Sequence, residues 1–457
     1  MNKTFRPYEP RQSFLLPPSP TEWLPEDHLA YFVLDVVRQL DLSGIVAHYE
    51  REGRGYPPYH PAMMVALLVY AYCVGVPSSR RIEKRTHEDV AFRIIAGNQH
   101  PDHTTISEFR RIHLDALAAL FVQVLRLCRK AGLVKLGHVA LDGTKMKANA
   151  SKHKAMSYQR MKEEEARLVA KVAELMAAAE RADAEEDARY GKDRRGDELP
   201  EDLRHAKSRL KCVRQLKAEL EAEAKAQAEA AKEESKNDDS ETPQDGRHDG
   251  PASLPSHRIP ADAKGTPAPK AQRNFTDAES RIMKTGDGFV QGFNAQAVVD
   301  AEAQVIVAAA VTNQSPDAEH FEPMIDRVEA NCGALPAKMS ADAGYFSEAN
   351  VAAAAARGID AHIATGRRRR SEPAPVVRGR TPAGLTVKQR MARKLLTRRG
   401  AAVYARRKVI VEPAFGQIKN RGFRQFLLRG IAKVRGEWAL MTMTHNLLKL
   451  HAATAAA

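Results

Sequence analysis

Three acidic side chains stand in surroundings that invite chemistry. Asp142 closes the β-prone run Gly137-His138-Val139-Ala140-Leu141, Asp342 closes a second run, Ala337–Ala341, and Glu412 lies in a basic helical stretch from Tyr404 to Lys419. An acid at the end of a core strand can present its carboxylate to solvent while the strand itself stays buried. Three oxygen donors without Cys or His partners suit a hard octahedral cation, Mg²⁺ or Mn²⁺, which keeps waters and binds phosphate oxygens. Two such ions about 3.5–4 Å apart activate the nucleophile and stabilise the leaving oxygen of an in-line phosphoryl transfer. A strand-end Asp is also an ordinary turn former, and Glu412 could be a salt-bridge partner, so the case rests on the three together. Asp300, Asp317 and Asp360 are weaker candidates: a hairpin turn, a helix cap and a strand start account for them.

Glu412 is the most telling of the three because acids are scarce around it. From Gly366 to the C-terminus there are 22 Lys and Arg against three acids, a local charge of +19, whereas the rest of the chain carries −5. One-sided charge of this kind is the footprint of a polyanion site. Arg367-Arg368-Arg369-Arg370, flanked by Gly366 and by Pro373 and Pro375, reads as a basic loop that tracks phosphates.

The remaining composition narrows the class. The 457 residues, 43% hydrophobic and 28% charged, are enough for two to four globular domains. Four scattered cysteines fit a reducing cytoplasm and no zinc or disulfide framework. The longest uncharged apolar run, Ala62–Val76, is 15 residues, a buried helix rather than a membrane span. Neither a Walker loop nor a dinucleotide fingerprint is present, so no nucleotide cofactor is implied.

The elements that must position the acids follow from periodicity. Residues 1–135 read as a helical domain: Pro61 opens one helix, a second begins near Thr86, and Thr105-Ile106-Ser107-Glu108 has capping-box spacing ahead of an apolar stripe running to Leu127. Exposed Arg110 and Arg111 near that start would permit helix-turn-helix DNA binding. Residues 136–457 read as a mixed-sheet catalytic domain: a strand ending at Asp142, a hairpin Gly288–Val311, a helix from Asp317, a strand to Asp342, a helix Ser347–Arg357 and a strand Ile359–Ala364. Residues 155–272 interrupt it with an Ala- and Glu-rich helical hairpin followed by a disordered linker, Asn237–Gln272. The fold class is therefore α/β.

Leu141-Asp142-Gly143-Thr144-Lys145, Ala341-Asp342-Ala343-Gly344-Tyr345 and Val411-Glu412-Pro413-Ala414-Phe415-Gly416-Gln417-Ile418-Lys419, in that order, resemble the DDE transposases of bacterial insertion sequences, in the group with a Tyr-Arg-Glu-Lys signature. The resemblance extends to Tyr59-His60-Pro61, Gly286–Gln296 and Arg421-Gly422-Phe423-Arg424. It implies a ribonuclease H-like fold in which Asp142, Asp342 and Glu412 hold two Mg²⁺ or Mn²⁺ ions. Tyr404, Arg407, Lys408, Lys419 and Arg421 would then contact DNA. The usual signature is Tyr-x2-Arg-x3-Glu-x6-Lys; Lys419 fits it, while Tyr404 and Arg407 precede Glu412 by one extra residue and Lys408 holds the Arg position. The implied activity is metal-dependent cleavage of double-stranded DNA at element ends and strand transfer to target DNA, by a homodimer or larger synaptic complex in the bacterial cytoplasm, at the nucleoid and not at a membrane. A nuclease without strand transfer and a catalytically inactive DNA-binding regulator are the alternatives.

Overall fold

The computed structural model describes residues 19–50, 57–190, 201–237, 254–286, 288–366, 377 and 379–455. They fall into two compact units, 1–131 with 443–457, and 132–442. Arg367–Arg370 lie outside the described residues. Among the described residues no helix is long and apolar enough to cross a membrane.

The first unit contains α1 (Leu29–Gln39), α2 (Ser43–Tyr49), α3 (Pro61–Cys73), α4 (Ser79–Glu88), α5 (Val90–Ile95), α6 (His103–Ile112) and α7 (Leu114–Lys130). Pro61 opens α3 as expected, and from Met64 to Cys73 every residue of that helix is buried. Four expectations change. The helix placed near Thr86 begins at Ser79, and the single stripe to Leu127 is two helices broken at His113. The cap is Asp102, whose Oδ1 accepts from the amides of Thr104 and Thr105 at 2.8 Å each, so the chain turns helical before Thr105 can cap. Arg110 is not exposed: it is buried, donating to Tyr72 Oη, the Pro77 carbonyl and Ser79 Oγ. It ties helices together, which leaves Arg111, paired with Glu108, on the surface.

The second unit is built on a six-stranded sheet. Its strands are β1 (Val139–Lys147), then, after the short β2 (Ala155–Ser157) and β3 (Gln272–Asn274), β4 (Arg281–Thr285), β5 (Gly288–Asp300), β6 (Ile306–Thr312), β7 (Lys338–Ala341) and β8 (Asp360–Ile363). The order is β4-β5-β1-β7-β8, with β6 pairing the second half of β5. β1 runs antiparallel to β5 over its whole length and parallel to β7 only from Val139 to Leu141.

Between β1 and β5 stands a hairpin of α8 (Tyr158–Tyr190) and α9 (Glu201–Asn237), closed at its base by the antiparallel pair β2 and β3. Met161, Leu168, Leu210, Val213 and Leu220 form its core, and Glu164 and Glu165 bridge to Arg209, Arg214 and Lys217 across it. Residues 238–253 of the expected linker lie outside the described residues. From Leu254 onward the segment is ordered, contrary to expectation. Leu254, Ile259 and Ala271 are buried, and Gln227 of α9 grips the returning backbone, accepting from the Ile259 amide and donating to the His257 carbonyl. The segment folds back on itself through the antiparallel bridge of Ala261 with Pro267, and its apolar anchors are widely spaced and without regular period.

The remaining helices are α10 (Phe321–Cys332), α11 (Glu348–Ala356), α12 (Val387–Leu396), α13 (Arg398–Asn420) and α14 (Ile431–Ala455), whose residues from Met443 belong with the first unit. α13 lies on β1, β5, β7 and β8, and its inward Ile410, Val411, Ala414, Phe415 and Ile418 are buried. Trp438 is core, as its periodicity implies: it stacks on Phe415 and donates to the Gln296 carbonyl at 3.1 Å.

Just ahead of β1, His138 is buried against Ser340 Oγ at 3.1 Å, and burial pushes its pKa down to about 4. Its folded value lies below the ordinary 6.5, so the unfolded chain takes up the proton first. Stability held above pH 6.5 should therefore be lost as the pH falls toward 4, by about 2–3 kcal/mol from this group. Urea titrations between about pH 7 and 4 should show His138→Gln flattening that slope; an identical slope would clear His138 of the effect.

Candidate active site

β1 does not stop at Asp142, as the sequence reading has it, but continues to Lys147 against β5. What ends at that point is its other neighbour. The last parallel pair is Leu141 with Ala341, so Asp142 and Asp342 are the next residues on adjacent strands, set side by side where β7 turns away. Asp342 caps the turn Ala343–Tyr345, its Oδ1 accepting from the Gly344 amide at 2.8 Å. Asp142 Oδ1 accepts from the Gly143 amide, and its Oδ2 is paired with Arg407 Nη1 at 2.7 Å.

This pair is largely buried. Burial raises the pKa of Asp142, Arg407 opposes that shift, and the like charge of Asp342 adds to it. Arg407 feels burial working to lower its pKa, yet Asp142 and neighbouring groups carry it above its usual value. Its guanidinium also lies 5.9 Å from the centre of the Tyr404 ring, whose hydroxyl is made less acidic by burial. Two residues further along β1, Thr144 Oγ1 accepts from Lys419 Nζ at 2.6 Å. Burial lowers the Lys419 pKa, Arg424 adds to the shift, and Asp142 resists it.

The structure thus brings together Asp142, Asp342, Tyr404, Arg407 and Lys419, and it sets Arg407, not Lys408, on the carboxylate. Lys408 and Glu412 are exposed on α13, and Arg421 follows the helix with its guanidinium 5.9 Å from the Phe423 ring centre. At about 100° per residue, Glu412 lies within about 20° of Lys419 around the helix and about 140° from Arg407. Among the described residues no three His, Cys, Asp or Glu converge as a metal cage. The donor chemistry nonetheless fits a hard cation: two carboxylates lie side by side on neighbouring strands, one of them largely buried.

Residues that sequence reasoning missed fill the other face of β1. Asp317 does not cap a helix through its side chain; its Oδ1 accepts from Lys145 Nζ at 3.1 Å, Asn294 Nδ2 at 2.7 Å and Gln296 Nε2 at 2.9 Å. Tyr345, fully buried three residues past Asp342, donates from its hydroxyl to Gln296 Oε1. Burial raises the Tyr345 pKa far above the usual value, with Asp317, Asp142 and Asp342 adding to the shift. The signal in the sequence was polar residues at alternate positions, Asn294 and Gln296, inside an otherwise apolar strand.

A mixed sheet whose central strands β1 and β7 set two aspartates side by side beneath a cation-bearing helix is the architecture of the ribonuclease H-like class. Residues 18–111 match the family model described as Transposase domain (DUF772), and residues 255–447 match Transposase DDE domain. The chain thus carries the two domains of an insertion-sequence DNA transposase, an enzyme of DDE-type phosphoryl transfer that binds DNA and whose family uses divalent metal ions. The second match begins beyond the helical hairpin, so Asp142 precedes it and joins it through the pairing of β1 with β5 and β7. No curated protein and no solved structure is significantly similar to the chain.

The tight face of β1 yields a stability test. A Cβ on Gly143 would lie 3.0 Å from Asn294 Oδ1 and closer still to Gln296 Nε2, whose side chain Asp317 and Tyr345 hold in place. Gly143→Ala should cost about 1–3 kcal/mol through overpacking. Gly416→Ala on α13, with open space around it, should instead stabilise by about 0.5–1 kcal/mol. Denaturant midpoints compare the two, and a neutral Gly143→Ala would mean that the network gives way.

Proposed function

We propose that Asp142, Asp342 and Glu412 are the catalytic acids and metal ligands of this transposase, and that two Mg²⁺ or Mn²⁺ ions serve it. The observation that carries the reading is the shared register of Asp142 and Asp342 beneath α13. When bound, divalent ions supply activation of the attacking oxygen and stabilisation of the leaving oxygen. Glu412 completes the set from the helix rim. Arg407 balances the charge of Asp142, and Tyr404 flanks its guanidinium. Lys419, held at Thr144, contacts the scissile phosphate in this reading, while Lys408, Arg421 and Arg367–Arg370 contact the backbone on either side. The sequence of events is cleavage at an element end followed by attack of the freed 3′-hydroxyl on target DNA. Joining two ends calls for a homodimer or larger synaptic complex. The Tyr-Arg-Glu-Lys group is the subgroup we favour, and the bacterial cytoplasm, at the nucleoid, is the site of action.

Asp142→Asn, Asp342→Asn and Glu412→Gln should each lower end cleavage by about 10³-fold or more, since several kcal/mol of charge stabilisation depend on the ionised oxygens. Binding to DNA should change little. Gel assays of cleavage beside filter binding check this, and near wild-type cleavage by any of the three removes that residue from the site. Lys419→Ala should reduce cleavage by about 10²-fold with binding weakened far less. Incubating pre-nicked ends with target DNA separates transposition from simple nuclease action: joined products are expected, and their absence favours the nuclease.

A further inference from the structure

A cavity of about 600 Å³ opens at the base of the helical hairpin, away from the acids. His153, Lys154 and Arg160 line it from the segment that follows β1, and His205, Arg209 and Cys212 line it from α9. Met156 and Phe275 add an apolar part to its wall. No acid is among its lining residues, although Arg209 also bridges to Glu164. Lys154 and Arg160 are exposed, and among the described residues no carboxylate pairs with either. The backbone around them is fixed: the Phe275 amide donates to the Lys154 carbonyl, and Asn274 Nδ2 donates to the Ser151 carbonyl.

Exposed cations join this cavity to the active site. Beyond Lys419, Arg424 lies against its carbonyl, Lys147 ends β1, and Arg429 donates to the Asn149 carbonyl, after which come Lys152 and Lys154. From Asp142 to Lys147, β1 advances about 17 Å at about 3.3 Å per residue. That is about five steps of duplex DNA at about 3.4 Å each, the first stretch of this path.

We propose that this cavity is a second DNA contact, a seat for backbone phosphates of duplex DNA whose cleaved end lies at Asp142. The proposal rests on the transposase reading and adds to it a role for the hairpin base. Lys154 and Arg160 supply the counter-charge.

Cys212 provides the readout. It is exposed in the cavity wall, whereas Cys73, Cys128 and Cys332 are buried. In the full-length protein, saturating linear duplex of unrelated sequence should slow modification of Cys212 by a thiol reagent by about tenfold or more, because reactivity follows access. Lys154→Ala with Arg160→Ala should abolish that protection and reduce the salt slope of filter binding by about 1.8, two phosphates at about 0.9 each. Slow modification of the three buried cysteines in that variant reports an intact fold. Retention of duplex on the filter with Cys212 reacting at its free rate would overturn the proposal while leaving the transposase reading standing. So would full protection and an unchanged salt slope in the double variant, or protection by inorganic phosphate and not by duplex. Failure to retain any duplex would overturn both.

Discussion

Everything in the catalytic unit depends on the short parallel pairing of β1 with β7. Only three residue pairs form it, and its end places two aspartates next to each other where the sheet opens. Like charges held so close in a partly buried setting repel, and the fold answers with Arg407 from α13. That helix is itself pinned by a buried apolar face against the sheet. The ion pair is therefore not a decoration of the site. It sets one cation of α13 directly against one of two neighbouring anions.

Much of this was legible in the sequence. β5, β6, α10, β7, α11 and β8 announce themselves by switches between alternate and helical spacing, and Asp142 and Asp342 by their place after apolar runs. Short edge elements were not legible. β4 hides because Arg281 faces inward, near Glu223 of α9, where the alternating pattern calls for an apolar residue. The docked segment after Leu254 hides because its anchors follow no period.

Two side chains were misread for one reason: local rules assign a residue to its neighbours in sequence, whereas a buried polar group goes to whatever partner satisfies it. Asp317 looks like a cap and is instead the acceptor for donors on β1 and β5. Arg110 looks like a surface cation and instead bonds residues more than 30 positions away.

The pairing of β2 with β3 at the hairpin base also bears on how the chain finds its fold. Lys147 and Gly292 are register partners separated by about 145 residues, an expensive loop to close. Once Ala155 has met Asn274, the hairpin closes on itself and the effective loop shrinks to about 26 residues. The entropy of closure then falls by about 1.5 kcal/mol, since it grows as the logarithm of loop length. The insertion thus acts as a clamp, its closed base holding the two central strands of the sheet near each other and so favouring the pairing that sets Asp142 beside Asp342.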